Sequence, residues 1–146
     1  MSEWELKVMD LLDRSDKVVR CASEPIAIEY KNPVKNMEYC IKNNLDWKNP
    51  IYWKTALYYP DLWIELKQDD GSVRKIFIEI KPLNQSIAPK IPPPGSKVQT
   101  YKTYNKLAMD FLVNQQKWAA AKQFCEARGT EFMVMTEVTL KKLGLL

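Results

Sequence analysis

Residues 60–82, PDLWIELKQDDGSVRKIFIEIKP, constrain this chain more than any other stretch. Two runs rich in β-branched and aromatic residues flank Asp-Asp-Gly, the pattern of an antiparallel hairpin. Side chains two apart in a strand share a face. Asp61, Trp63 and Glu65 therefore lie together, as do Phe77, Glu79 and Lys81. Turn length decides whether the two sets point the same way. A two-residue Asp70-Gly71 turn sets Asp61 opposite Ile80 and splits the charges across the sheet. A three-residue loop, Asp69-Asp70-Gly71, with a left-handed glycine and a bulge, pairs Asp61 with Glu79 and Trp63 with Phe77. The second register, or another of its parity, is expected. On spacing alone an edge hairpin with a solvated Glu–Lys pair is the better reading, since charged residues are common in strands. The apolar setting IFIEIKP argues against that, because a buried strand carries charge only at a cost.

Two neighbouring carboxylates repel, and a divalent cation removes the penalty. Oxygen ligands without soft or nitrogen donors suit Mg²⁺ or Mn²⁺. A lysine one strand step beyond the second carboxylate can orient a water or stabilise charge on a phosphate. The chain contains no histidine. Ser-His-Asp and Cys-His hydrolysis and histidine-based zinc chemistry are thereby excluded. Cys21, Cys40 and Cys125 are odd in number and far apart. They read as small core hydrophobes of a protein from a reducing compartment.

The 146 residues suit one domain, 1–146, and 46% hydrophobic content argues against disorder. No run reaches the ~18 apolar residues of a membrane span, and no signal peptide opens the chain. SEWELKVMDLLDR reads as a helix, with Ser2 at the N-cap and Glu5 at the capping-box position. EPIAIEY (24–30) reads as a short strand. Residues 31–58 form an excursion from the sheet, with a short helix around Met37–Asn43. A Pro-rich loop spans 83–97. Two helical stretches follow, broken or bent near Asn114 and ending at Gly129 as C′ residue. TEFMVMTE then reads as a buried strand, and a short helix ended by Gly144 closes the chain. The order α-β-β-β-α-β plus a final helix gives an α/β domain with a mixed sheet.

The Pro60-Asp61 pair followed by Glu79-Ile80-Lys81 resembles the PD-(D/E)XK nuclease superfamily, whose core is restriction-endonuclease-like. The wider pattern is more specific. The segment 61–82, the Pro-rich loop and VNQQKWAAAKQFCEARGTEFMVMTEVTLKKLGL resemble the head completion nucleases of T-even-type tailed phages. More distantly, the chain is similar to transposon-end-cleaving endonucleases. The resemblance covers the first helix and strand and everything from Tyr59 onward. It implies a metal-dependent DNA endonuclease with Asp61 and Glu79 as metal-binding acids. It further implies the Ile80 carbonyl as a backbone metal ligand and Lys81 as the catalytic lysine. SEWE matches a Ser-x-Trp-Glu pattern, which makes Glu5 the helix acid completing the metal shell, the reading favoured over a capping box that explains that glutamate without a metal. Glu24 is a weaker candidate of the same kind, for which a plain acid at a strand start is the better reading. Lys117 and Trp118 match the second helix, with Lys117 a phosphate contact and Trp118 core. The chain departs from the pattern in carrying Met1 where relatives have Arg, at the start of the first helix, and in a longer 31–58 segment. That segment's Lys31, Lys35, Lys42, Lys48 and Lys54, with Trp47, Tyr52 and Trp53, either supply DNA contacts or pack the excursion onto the domain.

The expected function is Mg²⁺- or Mn²⁺-dependent hydrolysis of DNA phosphodiesters, with Lys97, Lys102, Lys106, Lys117 and Lys122 contacting phosphates. The net charge of +4 permits that partner without demanding it. The resemblance implies a role around DNA packaging, in the host cytoplasm or on the virion, with phage head or portal proteins as partners. The rivals are a non-catalytic DNA-binding or assembly protein of the same fold, and a junction-resolvase or restriction-like nuclease.

Overall fold

The computed structural model describes residues 2–142; Met1 and Gly144 lie outside them. Ser2 caps the first helix, α1 (Glu3–Asp13), its Oγ accepting the Glu5 N–H at 3.2 Å. Val8 and Leu12 are the buried residues of α1, and Trp4 and Met9 pack beside them.

The hairpin forms in the expected parity. Strands β4 (Leu62–Lys67) and β5 (Val73–Ile80) pair antiparallel, with Trp63 opposite Phe77. The Gln68 N–H donates to the Ser72 carbonyl at 2.8 Å, closing a loop of Asp69, Asp70 and Gly71. Gly71 has φ +85°, a left-handed conformation that costs glycine no Cβ clash.

The first strand of the main sheet is β1 (Val18–Ser23), a segment the sequence pattern does not mark. It pairs antiparallel with β4, with an irregularity between Val18 and Arg20. Strand order is β1-β4-β5-β6, where β6 (Glu131–Met135) runs parallel to β5. A parallel neighbour needs a long crossover. It is α4 (Val98–Glu126), 29 residues without the break expected near Asn114. The Asn114 amide instead donates to the Gln85 carbonyl at 3.4 Å, and the side chain is buried. α4 ends as expected. The Thr130 N–H donates to the Cys125 carbonyl and the Gly129 N–H to that of Glu126, with Gly129 at φ +65°, a Schellman pattern. β6 is an edge strand rather than a buried one, with Met133 39% exposed. The Pro-rich segment holds one short helix, α3 (Leu83–Ser86). The final helix is α5 (Glu137–Lys142).

Alternation along β4 and β5 sends side chains to two cores. Leu62, Ile64, Ile76, Ile78 and Ile80 meet Val8 and Leu12 of α1 and Leu140 of α5. On the opposite face Phe77 stacks edge-on with Phe124 of α4 at 6.2 Å. The sheet is thus sandwiched between helices, the mixed α/β architecture expected. The strand read at 24–30 lies in a second sheet. There β2 (Ile28–Tyr30) pairs antiparallel with β3 (Ala56–Tyr58), and both pack on α4 through Ile28, Tyr58 and Ala121. Helix α2 (Pro33–Lys42) joins them, starting earlier than the short helix expected around Met37–Asn43. Asn32 caps it, accepting the Val34 and Lys35 N–H groups at 3.1 Å. Pro33, in the first turn, loses no intrahelical bond there.

Candidate active site

The chemistry gathers where β4 begins and β5 ends. Asp61 immediately precedes β4. Its Oδ2 accepts the Ile80 N–H at 2.7 Å, fixing the carboxylate against the end of the neighbouring strand. Glu79 is 3% exposed. Its Oε2 accepts the Tyr58 hydroxyl at 2.7 Å, and its Oε1 lies 3.4 Å from Lys81 Nζ. The Lys81 backbone is held separately, its N–H donating to the Met135 carbonyl at 2.9 Å. The ammonium is therefore aimed by the strand, and its side chain remains partly exposed.

Burial is the main cause that raises both Asp61 and Glu79 above the usual carboxylate range. Each is also raised by a neighbouring acid: Asp61 by Glu5 and then Glu24, Glu79 by Asp61. The Ile80 amide and Lys81 pull Asp61 down, and Tyr58 and Lys81 pull Glu79 down, without winning. The site is therefore short of positive charge. Burial also pushes the Tyr58 phenol far up, so it serves as a donor at any working pH.

Glu5 lies half-buried in α1 and lines a small cleft with Ile80, Lys81 and Gln85. Ser2 holds the Glu5 backbone through its hydroxyl, and the Glu5 charge raises Asp61. Among the described residues no three carboxylates or thiols close into a ready cation cage. The donor set is instead a pair, Asp61 and Glu79, with Glu5 farther out. Glu24 is exposed, has φ +44°, and its N–H donates to the Asp61 carbonyl at 2.9 Å. A left-handed backbone costs an L-residue roughly 1–2 kcal/mol, so the junction beside Asp61 carries local strain.

The five expected phosphate-binding lysines separate. Lys81, Lys106 and Lys117 line one groove of about 660 Å³ between α2 and α4, with Lys35, Glu38, Asp110 and Gln85. At about 100° per residue Lys102 shares that side of α4 and Lys122 falls on the other, while Lys97 precedes the helix as its N-cap residue. Lys117 is half-buried, its Nζ 5.6 Å from the Tyr30 ring centre and 5.7 Å from that of Tyr58. Burial first, and Lys81 second, lower its pKa. Trp118 packs in the α4 core, as expected. Within the excursion, Lys54 sits over Tyr39 at 4.1 Å and Lys48 over Trp47 at 5.6 Å, so part of its lysine–aromatic content is internal.

Sequence reasoning missed Tyr58 and Gln85; of the excursion lysines it named, Lys35 lines the groove. The available signal for Tyr58 was its place just ahead of Pro60-Asp61; its partner, 21 residues away, is a matter of tertiary structure.

No solved structure matches the chain. The head completion nuclease of Enterobacteria phage T4 is 28% identical over 143 residues, covering 98% of this chain and 81% of that protein. The profile of the TnsA-like endonuclease N-terminal family matches residues 15–137, a span that holds Asp61, Glu79, Lys81 and Lys117. The chain belongs to the TnsA-like endonuclease N-terminal family.

Proposed function

We propose that this protein is a divalent-metal-dependent DNA endonuclease whose site is Asp61, Glu79 and Lys81. One observation carries the reading: a 3%-exposed glutamate, paired with a lysine and repelled by an aspartate, at the ends of two adjacent strands. The shortage of positive charge and the all-oxygen donors fit Mg²⁺ or Mn²⁺, held by Asp61, Glu79 and the Ile80 carbonyl, with Glu5 as an outer member. Such an ion lowers the pKa of a bound water and polarises a phosphate. Lys81 orients the attacking water or balances charge on the phosphate oxygens. Tyr58 keeps the Glu79 carboxylate turned toward Lys81 and Asp61. Lys106 and Lys117, with Lys102 and Lys35 beside them, steer the DNA backbone along the groove. Lys122, on the far side of α4, acts only on a strand that wraps the helix, and Lys97 stands at the junction of the Pro-rich loop and α4.

The likeness to a head completion nuclease supports a phage setting. There the enzyme trims or resolves DNA around packaging in the host cytoplasm, with head or portal proteins as partners. Among the described residues no helix is long and apolar enough to cross a membrane.

The test is cleavage of linear, branched and single-stranded DNA with Mg²⁺, Mn²⁺ or EDTA. Cutting that depends on the metal is expected, and its absence on every DNA form overturns the proposal. Lys106→Ala is expected to weaken DNA binding similarly for all sequences. It should lower the slope of log affinity against log salt by about one. An unchanged slope removes Lys106 from the contact surface.

A further inference from the structure

The excursion 31–58 does more than decorate the domain. It ends in β3, and β3 delivers Tyr58 to the face of the sheet where Glu79 lies. Tyr58 is 4% exposed, so its hydroxyl is fixed rather than exchanging with water. Its ring meets Tyr30 of β2 edge-on, with centres 6.4 Å apart and planes at 81°. Both rings lie under the Lys117 ammonium at nearly equal distances. One side chain thus touches an acid of the site through its oxygen and a groove cation through its face. We infer that Tyr58 is a positioning residue: its hydroxyl fixes the Glu79 carboxylate for cation binding, making the β2–β3 sheet a working part of the site.

The inference rests on the nuclease reading for its chemistry and on the Tyr58–Glu79 geometry for its substance. A carboxylate offers about four acceptor positions. Tyr58 occupies one on Oε2 and selects a single orientation of the group, leaving Oε1 toward Lys81 and the other lone pairs for an ion. Without the hydroxyl, the Glu79 side chain samples several rotamers, and an ion must order it on binding. A hydrogen bond to a ligating carboxylate acts on the metal through the ligand, and its loss typically lowers affinity or activity ten- to a hundredfold, an order-of-magnitude range.

Tyr58→Phe keeps the ring, its packing and its contact with Lys117, and removes only the hydroxyl. Mn²⁺ binding to the DNA-free protein, read by calorimetry, is expected to weaken about tenfold. The kcat for DNA cleavage at fixed Mn²⁺ should fall by a similar factor, while KM for DNA stays within about twofold. Excess Mn²⁺ should restore the rate, and cooperative melting of the metal-free variant separates this from a loosened fold, whose rate excess metal would also raise. As a second readout, Mg²⁺ should change the near-ultraviolet tyrosine signal of the wild type, and Tyr58→Phe should lose that change. Mn²⁺ affinity equal to wild type overturns the inference, and tighter binding shows that Tyr58 competes with the ion instead. A wild type that neither binds Mn²⁺ nor cuts DNA overturns the nuclease reading along with it. A wild type that binds and cuts beside an equally competent Tyr58→Phe overturns this inference alone.

Discussion

Lys81→Ala is expected to lower DNA cleavage by at least about 100-fold while the protein still melts cooperatively near the wild-type temperature. The two halves of that expectation have separate structural causes. The Lys81 side chain reaches into the groove and touches the Glu79 carboxylate at 3.4 Å. Its backbone bond to Met135, which extends the β5–β6 ladder, does not depend on the side chain. Alanine therefore removes the ammonium and leaves the sheet. Asp61→Ala provides the contrast. It is expected to lose cleavage to the same degree and also to destabilise the fold. The Ile80 N–H then loses its acceptor at 2.7 Å, and a part-buried amide left without a partner costs about 1–3 kcal/mol. Denaturant unfolding beside a cleavage assay separates the two variants. Equal cutting by Lys81→Ala and wild type would assign the activity to another site or another protein. Equal stability of Asp61→Ala and wild type would mean that the Ile80 amide finds a second acceptor.

The parts of the site legible in sequence were those written in local periods. The two-residue strand repeat narrowed the hairpin to two parities, both with Gly71 in the turn, and the one expected because it gathers Asp61 and Glu79 on one face is the one that forms. Ser2 and Gly129, at the two helix ends, were legible for the same reason: capping chemistry is set within a few residues. β1 was not legible. VVRCAS lacks alternation, and as an edge strand it buries neither face fully. The strand at 24–30 was recognisable as a strand but not by its partner, because pairing with β3 spans the whole excursion. Asn114 looked like a helix breaker because asparagine competes for backbone bonds. Here its amide is absorbed by the Gln85 carbonyl of α3. The lysines of α4 were close in sequence, but helical phase divides them, and only part of the set faces the groove. Tyr58 shows the general limit. Nothing local distinguishes a tyrosine that packs from one that holds a buried carboxylate.

Glu79→Gln is expected to abolish cleavage, by at least about 100-fold, and yet to stabilise the metal-free fold at about pH 8. The folded protein holds Glu79 above the usual carboxylate range, because burial and the Asp61 charge outweigh the help from Tyr58 and Lys81. A raised folded value means that the native state keeps the proton more tightly than the unfolded chain does. The stability this confers is fully present below the ordinary glutamate range and is lost as pH rises through the folded value. At about pH 8 the charged Glu79 is therefore a liability in the absence of a cation. Glutamine keeps the shape, still accepts from the Tyr58 hydroxyl, and carries no charge to bury. Without metal, the variant should melt above wild type at about pH 8, and the gap should close toward about pH 4, where Glu79 is itself neutral. Adding Mg²⁺ should reverse the order, raising the wild-type melting temperature and leaving the variant nearly unchanged, since ligand binding stabilises only a protein that can bind. A Glu79→Gln variant that melts below wild type at about pH 8 would show that the bonds to Tyr58 and Lys81 outweigh the burial of the charge. The site would then be a satisfied ion pair with no need of a cation, and the metal-dependent reading would lose its physical basis.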